Sequence, residues 1–282
     1  MRRSLIYVYV TSYLFAILTF FISSFFSADF IARKDYFLAI IGIYTWIPGF
    51  FAFYFLKKEN YQLKWKNPFG SKFLIAVLLP VILIALGISF CSIFGGFSLE
   101  NLLKLCDHYH LHTGSRVLDS LMICFILYFV SLCVSVSINY ILILGEELFW
   151  RGYLWDKLRE YGFEKGGSIL AFLYSLWVFP VVILLGYQYP DQRVLGLFMT
   201  VLFSYFLTPI YIYLREKEKG IQSVTVFHAM MNTFGPIMVV FFPEKTSMIC
   251  GPVGVFSLIA TGIVSGVIFY LFKRNRVGAA YN

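Results

Sequence analysis

The sequence predicts an all-α, polytopic membrane protein built as a bundle of about eight transmembrane helices. Three observations predict it. Of 282 residues, 60% are hydrophobic and only 13% charged, where a soluble domain carries roughly 25% charged residues. The apolar residues form long stretches free of Asp, Glu, Lys and Arg. Each stretch is about 20 residues or more, enough to cross about 30 Å of hydrocarbon at 1.5 Å per residue. The runs are continuous rather than alternating, which excludes a membrane β-barrel. Together they exclude a disordered chain, a fibre or a soluble enzyme with a polar surface.

The charge-free stretches run 4–28, 36–56, 73–99, 120–145, 166–190, 194–214, 220–243 and 246–272. The first follows Met1-Arg2-Arg3. It is too long for a signal-peptide core and lacks a small-x-small cleavage site, so it is read as the first span. The second holds Trp46-Ile47-Pro48-Gly49. Pro48, Pro80, Pro180, Pro209 and Pro236 fall inside stretches and imply kinks that neighbouring helices must satisfy. No repeat, low-complexity tract or long linker interrupts the chain, so residues 1–282 are expected to form a single integral-membrane domain.

Lys and Arg set the orientation. With the N-terminus in the cytosol, 17 of the 23 lie on inside segments; the outside loops hold Arg33, Lys34, Lys104, Arg116, Arg193 and Lys245. Both termini are therefore expected to be cytoplasmic. The asymmetry also explains most of the net charge of +8. No basic patch on a soluble face exists to bind nucleic acid; the expected partner of this surface is the lipid bilayer. The five cysteines form no C-x-x-C pair, so no zinc finger or redox motif is indicated. Cys91, Cys106 and Cys250 fall toward the outer side, where a disulfide can form but its pairing cannot be chosen.

Polar groups inside spans are costly and are functional candidates by default. The fourth stretch, 26 residues without a charge, ends in Gly145-Glu146-Glu147-Leu148-Phe149-Trp150-Arg151. Glu147 and Arg151 are four apart and share a helical face. Glu146 is rotated by about 100° from Glu147 and is expected to project elsewhere. One glutamate can then be locked to Arg151 while the other faces a cavity as a general base for water. A charged helix end at the headgroup level explains the same residues equally well. In the seventh stretch, His228 and Asn232 are i, i+4 and point the same way. The pair can bind a metal, hold a water or donate to an oxyanion, or form a plain interhelical hydrogen bond. His108, His110 and His112 alternate and could hold a metal in an extended strand; the charge pattern puts them across the membrane from Glu146, as a solvated loop.

Glu146-Glu147-x-x-x-Arg151-Gly-Tyr-Leu, with His228-x-x-x-Asn232 about 80 residues on, resembles the CPBP family: CAAX prenyl endopeptidases, bacteriocin-processing enzymes and bacteriocin-immunity proteins. Trp46 to Gly49 is similar to the family as well, and the core motifs fall in 120–242. The resemblance implies an eight-helix bundle in a bacterial cell membrane, with a cavity open to the cytosol and the membrane. It implies an intramembrane endopeptidase acting on a membrane-associated peptide or protein. Glu146 would be the catalytic base, Glu147 and Arg151 a supporting pair, and His228 and Asn232 the oxyanion donors. Whether such a site uses Zn2+, with His228 and Glu146 as ligands, or no metal stays open. One motif departs from the pattern. Where the family has aromatic-x-x-x-His, this chain reads Tyr174-Ser175-Leu176-Trp177-Val178-Phe179-Pro180. Val178 can neither ligate a metal nor move a proton, so activity is expected to be weak unless Tyr174 or Ser175 substitutes. The alternative is a non-catalytic member that binds a peptide or protein partner in an immunity or regulatory role.

Overall fold

The computed structural model describes residues 1–26, 30–61, 63, 72–242 and 247–279. Lys64, Lys66 and Lys245 of the charge count lie outside the described residues. The described residues are mostly helical, with no strand among them, and eight helices are long and apolar enough to cross a membrane. They include α1 (Arg2–Phe26), α2 (Phe30–Lys58) and α3 (Phe73–Ile93), followed by a short α4 (Glu100–His108). Then come α5 (Arg116–Val136) and α6 (Ile138–Glu147), separated by a break at Ser137.

The stretch read as 120–145 is this broken passage. α5 and α6 run on antiparallel to α10 (Gln222–Phe234). Ser135 meets Thr233, and Asn139 Nδ2 donates to the Ala229 carbonyl at 3.0 Å. The helix does not stop at the glutamates. It widens into a π-helix at Leu148–Leu154, where the Trp155 N–H reaches the Trp150 carbonyl five residues back. It then continues as α7 (Trp155–Leu158) and a 3₁₀ turn at Arg159–Tyr161, and reverses at Gly162, whose φ is +82°. Glu146 therefore sits about four turns before the reversal rather than at the end of a span, because the aromatic residues after it are apolar enough to stay buried.

α8 (Gly162–Leu185) returns beside this passage, and α9 (Arg193–Glu218) packs along α8. Pro180 deprives the Leu176 carbonyl of its helical donor. Tyr13 Oη donates to that carbonyl at 2.6 Å, and Tyr44 Oη to the neighbouring Trp177 carbonyl at 2.6 Å. After α10, Gly235 and Pro236 interrupt the helix before α11 (Ile237–Phe241). α12 (Ser247–Cys250) and α13 (Val255–Ala279) complete the fold.

α2 crosses α6 at glycines. A Cβ on Gly49 would stand 2.6 Å from Gly145 Cα, and one on Gly145 would stand 2.9 Å from Trp46 Cα. Thr45 donates to the Leu142 carbonyl at 2.8 Å and Trp46 Nε1 to the Ile141 carbonyl at 2.9 Å. This contact fixes the backbone immediately ahead of Glu146.

The two ends of the bundle differ. One gathers charged pairs: Lys157 with Glu59 at 2.6 Å, and Arg215 with Asp156 at 3.1 Å. The other carries a disulfide between Cys91 and Cys250, which resolves the pairing the sequence left open; Cys106 is free. These are called the basic end and the disulfide end below.

Candidate active site

Glu146, Glu147, Arg151 and His228 form one buried cluster, with exposures of 3, 0, 1 and 8%. Arg151 Nη1 donates to Glu147 Oε1 at 3.0 Å, the i, i+4 pair expected from the spacing. His228 Nδ1 lies 2.6 Å from the same oxygen. A carboxylate paired to arginine only accepts, so Nδ1 carries the proton. Glu147 is thus the hub, and its Oε2 makes no hydrogen bond among the described residues.

Glu146 does not project elsewhere. Its Oε1 is 3.5 Å from His228 Nδ1 and 3.8 Å from Arg151 Nη1. A glutamate side chain is long enough to swing back across the 100° that separates neighbouring Cβ atoms on a helix. Tyr174 holds it there, its hydroxyl donating to Glu146 Oε1 at 2.8 Å. Glu146 Oε2 accepts no hydrogen bond among the described residues.

Arg151 lies between two aromatic faces, 4.4 Å from the Tyr174 ring centroid and 4.1 Å from that of Tyr211. Cation–π contacts of this kind strengthen when desolvated. Its backbone carbonyl accepts from Arg215 Nε at 3.1 Å. Arg151, counted among the inside charges of the sequence, is therefore buried within the cluster.

A cavity of about 500 Å³ opens above these groups. Glu146, Arg151, Val178, His228 and Asn232 all line it, while Glu147 stands behind. Val178 thus faces the space where the family motif would place a histidine. Asn232 shares the His228 stripe, as its spacing requires, and its side chain makes no hydrogen bond among the described residues. Ser175 does not reach the site; it donates to the Phe172 carbonyl at 2.8 Å. The wall continues through α9 to Tyr187, Gln188 and Tyr189 and to Pro252 and Val253, at the disulfide end.

Residues 117–234 match the family described as type II CAAX prenyl endopeptidase Rce1-like. Over that stretch the chain is similar to this family. The matched stretch contains both motifs and the Tyr174–Pro180 segment, and it agrees with the CPBP resemblance. No curated protein and no solved structure matches the chain.

Ligand atoms of Glu146, Glu147 and His228 lie within 4.8 Å of one another. The set does not fit catalytic zinc. It supplies one imidazole, Val178 supplies no ligand, and the Arg151 guanidinium, 3.0 Å from Glu147 and 3.8 Å from Glu146, competes with a metal for both carboxylates. Catalytic zinc takes three strong protein ligands. The triplet His108, His110 and His112 forms no extended strand. His108 ends α4, His110 has φ +55°, and all three are exposed.

Two contributors were invisible as site residues in the sequence. Asn139 lines the cavity and ties α6 to α10. Tyr211 was one tyrosine of 20; its position four residues before Arg215, on the face of α9 turned to the arginines, was the available signal.

Proposed function

We propose that this Rce1-like protein is an intramembrane endopeptidase whose base is Glu146, acting without a metal on a membrane-associated peptide or protein. One observation carries the reading. Of the adjacent glutamates, Glu147 is consumed by Arg151 and His228, while Glu146 lines the cavity with one carboxylate oxygen uncommitted.

The chemistry follows from those positions. Glu146 takes a proton from water as the water oxygen bonds to the amide carbon. Asn232 donates to the resulting oxyanion. His228 is held at the cavity wall by Glu147 through its Nδ1 proton. When the tetrahedral species collapses, the carbon–nitrogen bond breaks and Glu146 returns its proton to the leaving amine. Tyr174 orients Glu146 and supplies a polar hydroxyl one turn from Val178.

The test is hydrolysis of a labelled membrane-anchored peptide by the purified protein in detergent. Turnover lost in Glu146→Ala supports the reading; turnover unchanged in that variant refutes it. Val178 favours a second reading, a non-catalytic member that binds a peptide partner. In that case wild type is inert, and Val178→His raises turnover by about 10–10⁴-fold, the scale of a recovered acid–base partner.

We place both termini in the cytosol. The Lys and Arg distribution supports this, and so does the disulfide at the opposite end, since disulfides persist on oxidising sides of membranes.

A further inference from the structure

We propose that Tyr44, on α2 and outside the stretch that matches the family, is a positioning residue: it ties the helix that carries Tyr174 to the helix that carries Glu146, and so sets the contact that aims the base. What the base does rests on the peptidase reading; the geometry of the tie does not.

Tyr44, Thr45 and Trp46 are consecutive, so their side chains leave α2 about 100° apart. They divide between two helices. Thr45 Oγ1 lies 2.8 Å from the Leu142 carbonyl oxygen and 3.0 Å from that of Gly42, and Trp46 Nε1 donates to the Ile141 carbonyl at 2.9 Å. The Leu142 carbonyl is the one that helical geometry pairs with the backbone N–H of Glu146. Tyr44 turns to α8. Its hydroxyl donates to the Trp177 carbonyl at 2.6 Å, and its ring stacks on the Trp177 ring with centroids 4.8 Å apart. Less than one turn of α2 thus grips α6 four residues ahead of Glu146, and α8 three residues after Tyr174 and one before Val178.

The tie matters because of what is missing elsewhere. Tyr174 Oη to Glu146 Oε1, at 2.8 Å, is the one hydrogen bond that joins α6 to α8 among the described residues. A working constellation must be held within about 0.5 Å, so the spacing of these two helices needs a third element. α1 cannot be that element. Tyr9 and Tyr13 donate to the Leu173 and Leu176 carbonyls of α8, but no hydrogen bond joins α1 to α6 among the described residues. α2 is bonded to both.

The two sides of the grip differ in stiffness. On α6, glycines press the backbones together: a Cβ on Gly42 would stand 2.7 Å from Leu142 Cδ2, and one on Gly49 2.6 Å from Gly145 Cα. On α8, Pro180 has removed the helical donor to the Leu176 carbonyl, next to the one Tyr44 holds. The weaker side therefore leans on the Tyr44 hydroxyl. Tyr44 and Trp177 are each 2% exposed, so water does not compete for the bond.

The experiment places fluorotyrosine at position 174 of the full chain in detergent and records its fluorine NMR resonance. Glu146→Ala gives the position of that resonance once the bond to the base is gone. Tyr44→Phe keeps the stacked ring and removes only the hydroxyl. It should move the resonance toward the Glu146→Ala position, and Thr45→Val, which loosens the α6 side of the same turn, should move it the same way. Tyr13→Phe also removes a hydroxyl from an α8 carbonyl but has no link to α6, and it should move the resonance less. In the hydrolysis assay Tyr44→Phe should lower kcat by about 3–10-fold, the scale of one buried hydrogen bond, with KM unchanged. Added to Tyr174→Phe it should lower kcat no further, because both act through one contact.

A resonance that ignores Tyr44→Phe overturns the proposal. So does an equal response to Tyr13→Phe, which would make the effect a general loosening of α8. Additive losses in the double variant would reduce Tyr44 to packing, and a raised KM would make it a substrate contact; either result overturns the positioning role. The resonance does not depend on turnover. Failure of the peptidase reading would show separately, as hydrolysis indifferent to Glu146→Ala while the resonance still answers to Tyr44→Phe.

Discussion

Two carboxylate–cation networks lie on the same helical passage, about two turns apart, and they do different things. At the basic end, Glu59 meets Lys157 and Tyr153, and Asp156 meets Arg215 and Tyr61. Glu59 and Lys157 are 30 and 36% exposed at their side chains, and water shares their charges. In the cluster at Glu146, side-chain exposure falls to between 0 and 10%, and every charge must be met by protein. A partly exposed pair such as Glu59–Lys157 is worth about 0.2–1 kcal/mol, whereas Asp156 and Arg215 beside it are 5 and 8% exposed. Breaking a buried pair costs about 3–5 kcal/mol, because the partner is left uncompensated. The first network fastens the helix end. The second holds charged groups in place around a cavity, which is what a catalytic centre requires.

The largest effect expected is from Glu147→Ala. It strands the Arg151 guanidinium at 1% exposure. A loss of about 3–5 kcal/mol should appear in the unfolding midpoint in mild detergent. A change below about 1 kcal/mol would place the cluster in the same class as the basic end.

Tyr174→Phe comes next. It removes the hydroxyl 2.8 Å from Glu146 and keeps the ring over Arg151. A hydrogen bond to a charged group contributes about 1.5–3 kcal/mol. The expected outcome is a fall of roughly 10–100-fold in kcat with KM little moved. A rise in KM would mean that Tyr174 contacts substrate rather than only orienting the base.

Gly145→Ala presses a methyl group within 2.9 Å of Trp46 Cα at the α2–α6 crossing. Overpacking of this kind costs about 1–3 kcal/mol. Differential scanning fluorimetry should show a lowered Tm, with any residual activity reduced because the backbone ahead of Glu146 is displaced.

The smallest effect belongs to Glu59. Burial is the largest single influence on its carboxyl and raises the pKa, but the hydrogen bonds from Lys157 and Tyr153 and the Lys157 charge together lower it below the ordinary value. A lowered carboxylate stabilises the fold above its unfolded-state pKa and loses that stabilisation as pH falls through the folded value. Glu59→Gln should therefore cost no more than about 1 kcal/mol at neutral pH and nothing at pH well below the carboxylate range. A pH-independent loss would make Glu59 a packing residue.

The contrast between the networks was only half legible in the sequence. The spans were readable because hydrocarbon tolerates few charges, so composition alone marks them. The Glu147–Arg151 pair was readable from its spacing of four, and His228 from being the one histidine inside a span. The orientation of Glu146 was not, because it depends on Tyr174, which arrives 28 residues later on α8. Nor were the break at Ser137 and the π-helix at 148–154. α- and π-geometry differ by one residue of hydrogen-bond register, and nothing in Leu-Phe-Trp-Arg-Gly-Tyr-Leu encodes that choice locally. Arg215 looked like a loop charge because positive residues near span ends normally reach water; here the reversal at Gly162 lies further out and buries it.

The π-helix makes the site a problem of phase. Upstream of it, Glu146 and Glu147 are indexed to His228 and Tyr174; downstream, Asp156 is indexed to Tyr61 and Arg215. Seven residues of wider winding set the angular offset between the two sets. Deleting any one of them would let ordinary winding resume and turn one set against the other by roughly 100°. The chain could then mesh with its partners above the slip or below it, but not both. Single-residue deletions in 148–154 should therefore be far more damaging than most substitutions there, whichever residue is removed.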